Sequence, residues 1–296
     1  MFEKMIREQT AKQAEQLEAW LSKRESEQTF PDDVELIENI DYMGDGEKSH
    51  MLDIYRPKNA SGVRPALINI HGGGFLLGSK EVNRLFCADM CRRGFVVACL
   101  EYPLVPSVTV FDILRDLSAG VDFVSEHACE YGGMSGSVYL SGDSAGAWLC
   151  VYLAAIANSD KIAEAASVRA PKADIRAMGL ISGMFYTRKL DNVGIFLPRY
   201  IYGAGWRKSR FRPYMDPENE LLLKSLPPAF VVTADGDFLR HYSREFSAAL
   251  EKTGADMEFM DISAEEKLPH AFAAMLPEKP ESQRANERMA DFMLKR

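Results

Sequence analysis

The chain has 296 residues, enough to bury one large core, and its 47% apolar and 26% charged content is that of a soluble globular protein, which excludes disordered and fibrous chains. With 35 basic against 43 acidic residues the formal net charge is −8, so long-range electrostatics repel nucleic acid and anionic membrane surfaces. The first residues, Met1 to Glu8, carry charges every few positions and no apolar core segment, and no run reaches the length of a membrane span; a cytoplasmic protein is expected. Cys87, Cys91, Cys99, Cys129 and Cys150 read as reduced core thiols, and no histidine or further cysteine stands at ligand spacing beside Cys87 and Cys91, so no metal is expected.

Residues 1 to about 28 are charged and helix-favouring, with Met5, Ile6, Leu17, Trp20 and Leu21 forming an apolar stripe that Pro31 ends. A helical cap segment is expected over 1–45, ahead of a catalytic domain over 46–296. Met51 to Tyr55 alternates as an edge strand does, and Pro65 to Ile70 is a nearly continuous apolar run, the pattern of a strand buried on both faces of a parallel sheet. A helix over about 82–92, a strand over Phe95–Leu100, a helix over about 111–127 and a strand at Val138–Leu140 follow. Later strands are expected at Met178–Ile181, Ala229–Thr233 and Met257–Ile262, with a helix over about 242–252 before the last. This alternation predicts a doubly wound α/β architecture, a mostly parallel central sheet with helices on both faces. Residues 184–225 break the alternation and are rich in aromatics, among them Phe185, Tyr186, Phe196, Tyr200, Tyr202, Trp206, Phe211 and Tyr214. They read as an insertion that either caps a pocket or packs a peripheral helix on the sheet.

Gly142-Asp143-Ser144-Ala145-Gly146 lies between the strand at Val138–Leu140 and the apolar stretch Trp148 to Ala157. A serine on such a strand-to-helix turn is strained, and its neighbours two positions away must be small for strand and helix to approach. The same five residues also suit a plain structural turn, so partners decide. A serine nucleophile needs a base, usually a histidine oriented by a carboxylate. Of the five histidines only His241 and His270 lie downstream of Ser144. His270 follows a strand and its polar loop, whereas His241 begins a helix, so His270 is the expected base. Asp235 and Asp237 both follow the strand Ala229–Thr233, and spacing does not separate them. Asp237 precedes Phe238-Leu239, which would enter the core and bury the carboxylate, so it is the expected acid; Asp235 reads as a turn residue bonded to its own backbone. His71-Gly72-Gly73-Gly74-Phe75 follows a buried strand, and its glycines allow backbone N–H groups to turn toward a substrate; with Ala145 they would form an oxyanion hole.

These motifs resemble the hormone-sensitive-lipase-like branch of the α/β-hydrolase esterases, over the chain from about Met51 onward. The resemblance implies the α/β-hydrolase fold with a helical cap, Ser144 as nucleophile, Asp237 as acid, His270 as base, and the N–H groups of Gly73, Gly74 and Ala145 as the hole. One segment departs: where relatives often read Asp-Tyr-Arg-Leu-Ala-Pro-Glu, this chain has Glu101-Tyr102-Pro103-Leu104-Val105-Pro106-Ser107, lacking an arginine and a glutamate that help hold the loop. The acid motif reads Asp-Phe-Leu instead of Asp-Pro-Leu. The expected activity is a serine carboxylesterase for small acyl esters, with Phe75, Trp148 and Phe238 about the substrate pocket and no cofactor. Acetylated carbohydrates or amides are alternative substrates, and a ligand-binding protein on a hydrolase scaffold is a third reading. The expected partner is a small-molecule ester, and a homodimer is compatible with the sequence.

Overall fold

The computed structural model describes residues 12, 15–17, 19–24, 27–59, 62–189 and 197–296. Among these, one sheet holds β1 (Val34–Asp41), β2 (Met51–Pro57), β3 (Arg64–Ile70), β4 (Val96–Leu100), β5 (Gly133–Asp143), β6 (Asp174–Ile181), β7 (Ala229–Ala234) and β8 (Met257–Ile262). The strand order is β1-β2-β4-β3-β5-β6-β7-β8, with β2 antiparallel to both neighbours and β4 to β8 parallel. This is the predicted α/β sheet.

Period-two geometry explains why the central strands read as unbroken apolar runs. Ala66, Ile68 and Ile70 of β3 point into one core and Leu67 into the other; Val96, Ala98 and Leu100 of β4 are likewise separated from Val97 and Cys99. Helix α1 (Arg84–Arg92) and the C-terminal helix Pro280–Leu294 cover the second core with Phe86, Met90, Met289 and Phe292. Helices α2 (Val110–His127) and α3 (Ala145–Asn158) and the helix Arg240–Lys252 cover the first with Leu117, Leu149, Leu153 and Phe246. Each such side chain, fully removed from water, contributes about 1.5–3 kcal/mol. Helix α3 is buried from Ala145 to Ile156, because it sits under both the sheet and the insertion.

Several expectations require correction. Met51–Tyr55 is interior: β1 pairs along its outer side, so β1 is the edge. The alternation misleads because Asp53, the polar residue in it, is fully buried, accepting from Lys80 Nζ at 2.9 Å and from the Asn39 N–H at 2.9 Å. β1 also places sheet within the 1–45 range assigned to the cap. The described residues among 12–27 are helical, while Met5 and Ile6 lie outside the described residues, as does Phe196 of the insertion. Cys87, Cys91, Cys99 and Cys150 are buried thiols, but Cys129 is exposed, because it lies in the short turn after α2. Among the described residues, no helix is long and apolar enough to cross a membrane, and no group of three histidine, cysteine, aspartate or glutamate side chains could hold a metal ion.

Candidate active site

Ser144 stands between the end of β5 and the first turn of α3 with φ 52° and ψ −113°, a backbone conformation that non-glycine residues rarely adopt. Its setting enforces this. A Cβ on Gly146 would lie 2.0 Å from the Ile70 carbonyl oxygen, and one on Gly142 would lie 2.6 Å from the Gly146 backbone. The helix therefore crosses β3 and β5 at backbone contact. The Ser144 N–H donates to Ile181 O at 2.9 Å, its carbonyl accepts from Met184 N at 2.9 Å, and the residue is 7% exposed.

The next residue after Ile181, Ser182, links this turn to the histidine loop. Ser182 is fully buried at φ 50°, and its hydroxyl accepts from the N–H of Ala271 at 3.1 Å, the residue after His270. His270 Nδ1 lies 2.6 Å from Asp237 Oδ1. The Asp237 carboxylate has no exposed surface, while the imidazole is 20% exposed. Asp237 also accepts from Thr233 Oγ1 and from the Leu239 N–H, each at 2.8 Å. Burial works against the carboxylate, but the hydrogen bond and positive charge of His270, the Leu239 N–H and the Ser182 hydroxyl outweigh it and hold its pKa below the ordinary range.

Asp235 does not reach the imidazole. Its side chain was expected to bond its own backbone; instead Oδ1 accepts from the Leu268 N–H at 3.2 Å, tying down the loop two residues ahead of His270. A contact across thirty-three residues leaves no local sequence signal. His241 is exposed, its ring against Tyr242.

The glycine loop is fixed by residues that sequence reasoning passed over. The Gly72 N–H donates to Asp143 Oδ1 at 3.1 Å, and Asn83 Nδ2 donates to the same oxygen at 2.7 Å. Burial raises the Asp143 pKa, partly offset by the Asn83 bond and the positive His270 and His71. The signal for Asp143 was its place inside the five-residue motif. His71 Nε2 lies 3.0 Å from Glu101 Oε1, its Nδ1 lies 2.8 Å from Gly72 O, and its ring stacks on Tyr102 at 4.2 Å. Burial alone would lower the His71 pKa, but the Glu101 charge and hydrogen bond raise it above its ordinary value. Glu101 accepts as well from the N–H groups of Lys80 and Tyr102. The departure at residues 101–107 is thus compensated: Glu101 anchors the loop, and Val105 N donates to Phe75 O at 2.9 Å.

Gly73, at φ +115°, offers its carbonyl to Leu76 and Leu77, and a Cβ there would lie 1.8 Å from Leu77 O. Among the described residues no protein acceptor takes the N–H groups of Gly73, Gly74 or Ala145. Phe75 and Trp148 pack edge to face at 5.4 Å, and both are fully buried, so they form the backing of the wall instead of a surface facing a pocket. Trp148 continues into Tyr152, stacked at 3.8 Å, and Tyr202 at 6.3 Å. Phe238 was expected to enter the core with Leu239; only Leu239 does, and the Phe238 ring is 66% exposed and lies 4.4 Å from that of His270. A cavity of about 390 Å³ bounded by Leu21, Phe30, Leu36, Leu85 and Met275 lies elsewhere, against the N-terminal helix, and includes none of these site residues.

A parallel sheet with a strained serine after its fifth strand and a histidine–carboxylate pair after the last two defines a class. A family model described as an alpha/beta hydrolase fold matches residues 67–274, and the chain belongs to that family, in the hormone-sensitive-lipase-like branch. Among curated relatives, a probable isoprenylcysteine alpha-carbonyl methylesterase of Arabidopsis thaliana is 29% identical over 222 residues, covering 69% of this chain and 45% of that protein. A carboxylic ester hydrolase of Mycobacterium tuberculosis is 27% identical over 230 residues, covering 74% of this chain and 59% of that protein. The chain thus spans about half the length of the curated relatives it matches. Among solved structures, esterase B from Lactobacillus rhamnosus superposes with a TM-score of 0.90 at 22% identity, covering 99% of this chain and 95% of that one. A bacterial heroin esterase does so with a TM-score of 0.75 at 23% identity, covering 95% and 90%.

Proposed function

We propose that this protein is a serine carboxylesterase that opens short-acyl esters through an acyl-enzyme. The observation that carries the proposal is the 2.6 Å contact between His270 Nδ1 and the buried Asp237, joined through Ser182 to the strained Ser144 turn. Asp237 holds the Nδ1 proton, which leaves Nε2 as the base for the Ser144 hydroxyl. The serine oxygen then bonds to the ester carbonyl carbon, and the carbonyl oxygen takes up negative charge. The unengaged N–H groups of Gly73, Gly74 and Ala145 meet that charge at the start of α3, where the helix dipole adds to them. His270 returns the proton to the departing alcohol, and water repeats the sequence on the acyl-enzyme.

The short-acyl preference rests on the aromatic packing around Trp148. Phe75, Trp148, Tyr152, Tyr202 and Phe211 are all buried and in mutual ring contact, which fills the volume beside the first turn of α3. Esterase B has also been solved with a C4-C4 tributyrin phosphonate and with a C6-C4 inhibitor. A series of p-nitrophenyl esters from acetyl to octanoyl, with Ser144→Ala as the blank, tests the reading. Acetyl and butyryl esters are expected to react fastest. Because the Arabidopsis relatives are named as methylesterases, the series includes methyl esters of bulky acids. Faster hydrolysis of octanoyl esters, or of those methyl esters, overturns the short-acyl preference.

A further inference from the structure

The insertion carries a charge pattern opposite to that of the rest of the chain. Residues 197–215 contain Arg199, Arg207, Lys208, Arg210 and Arg212 and no acidic residue, ahead of Asp216, Glu218 and Glu220 in the same insertion, in a chain with 43 acidic residues against 35 basic. All five side chains are exposed. Elsewhere the arginines are habitually paired: Arg56 with Glu35, Arg93 with Asp89, Arg240 and Arg244 with Asp261, Arg288 with Glu258 and Arg296 with Asp256. Among the described residues no carboxylate pairs with any of the five in the insertion. Two cations instead flank one indole: Arg207 lies 4.6 Å and Arg188 5.4 Å from the Trp206 ring.

This basic segment packs against the helix that follows the candidate nucleophile, with Tyr202 on Trp148 and Phe211 on Tyr152. Ser144 O accepts from Met184 N, and three residues later the Thr187 hydroxyl bonds the Tyr202 hydroxyl at 2.7 Å. Arg188 follows Thr187 directly. Tyr202 also rests against Trp148, one turn along α3 from Ser144. An unpaired cationic surface creates a region of positive potential on an otherwise acidic molecule, where anions accumulate.

We propose that this basic segment borders the approach to Ser144 and selects esters that carry a negative charge, so that the substrate class is an anionic short-acyl ester, with a carboxylate, sulfate or phosphate on the molecule bearing the ester. The proposal rests on the esterase reading and narrows it. Arg207, Lys208, Arg210 and Arg212 act on capture of the ester and not on the bond-breaking step.

The test compares 4-acetoxybenzoate with phenyl acetate, which share acyl group and ring and differ by one carboxylate. In wild type the ratio of their kcat/KM values is expected to fall as sodium chloride rises from about 0.02 M to about 0.5 M, since the screening length shortens severalfold. The combined variant Arg207→Glu, Lys208→Glu, Arg210→Glu, Arg212→Glu is expected to lower kcat/KM for 4-acetoxybenzoate by about 10-fold at low salt, through KM, with phenyl acetate unchanged. The milder Arg207→Gln, Lys208→Gln pair is expected to give a smaller shift of the same sign, and phenyl acetate turnover reports that each variant is folded. An unchanged ratio in both variants and at both salt levels overturns the inference while leaving the esterase reading intact. Loss of flotation with phosphatidylserine vesicles alongside an unchanged ratio assigns the segment to a membrane surface and also overturns it. A wild type that opens neither ester defeats the esterase reading itself, and this inference with it.

Discussion

Gly146→Ala is the substitution whose consequence follows most directly from the fold. The new Cβ would lie 2.0 Å from Ile70 O and 2.7 Å from His71 O, where ordinary contact begins at about 3.4 Å. The end of β3 and the first turn of α3 must therefore separate by about 1.4 Å at the tightest point. Neither side yields cheaply. Both are backbone, one inside the central sheet and the other in a helix buried over its first three turns. Overpacking of this kind costs about 1–3 kcal/mol. The displacement falls between Ser144 on α3 and Gly73 and Gly74 beyond β3, so it moves the proposed nucleophile relative to the proposed oxyanion donors. A misplacement of about 1 Å at reacting atoms costs about 100-fold. Hydrolysis of p-nitrophenyl acetate is expected to fall by about 100-fold or more in kcat/KM, with the urea midpoint shifted by the equivalent of about 1–3 kcal/mol. Wild-type kcat/KM together with an unchanged midpoint would refute the claim that backbone contact at Gly146 sets the site.

Asp237→Asn is expected to lower kcat by about 10³–10⁴-fold, because an amide no longer fixes the imidazole tautomer, whereas Asp235→Asn keeps an acceptor for Leu268 N and near wild-type turnover; the reverse pattern in steady-state kinetics would exchange their roles. The raised pKa of His71 makes its contribution to stability complete below its ordinary value of about 6.5 and lost as pH rises through the raised one. Urea midpoints of wild type are thus expected to fall with pH above about 6.5, and Glu101→Gln to flatten that fall; equal slopes would show that the pair is not the source. Asp53→Ala leaves the Lys80 ammonium buried with Glu81 as its one carboxylate partner among the described residues, and a loss of about 3 kcal/mol is expected in denaturant titration. A loss within measurement error would mean that water or a shift of Lys80 replaces the carboxylate.

The parallel strands were legible because residues buried on both faces leave an apolar run, as Ala66–Ile70 does. β1 was not, since its alternation is broken at Asn39, which sits at φ 58° where the register with β2 shifts between Ile37 and Ile40. The cause is again Asp53, whose carboxylate takes the Asn39 N–H from the next strand. The proximity of His270 to Asp237 followed from chain order, while of the two residues expected to bury the carboxylate only Leu239 enters the core. What holds the site did not: Asp143 to Gly72, Asn83 to Asp143, Ser182 to Ala271 and Asp235 to Leu268 are all contacts between distant segments. Phe75 and Trp148 were legible as aromatics near the serine, but only the packed fold shows that they are sealed behind it. The charge reversal at residues 197–215 is visible in the sequence, yet the whole-chain charge of −8 conceals it.

The central claim is that Ser144 is an activated nucleophile. Incubating the folded protein with a fluorophosphonate probe and mapping the adduct by mass spectrometry tests it most directly. One adduct is expected, on Ser144, and it disappears in the Ser144→Ala variant and when the protein is unfolded in urea before labelling. A folded protein that acquires no adduct at Ser144 would contradict it.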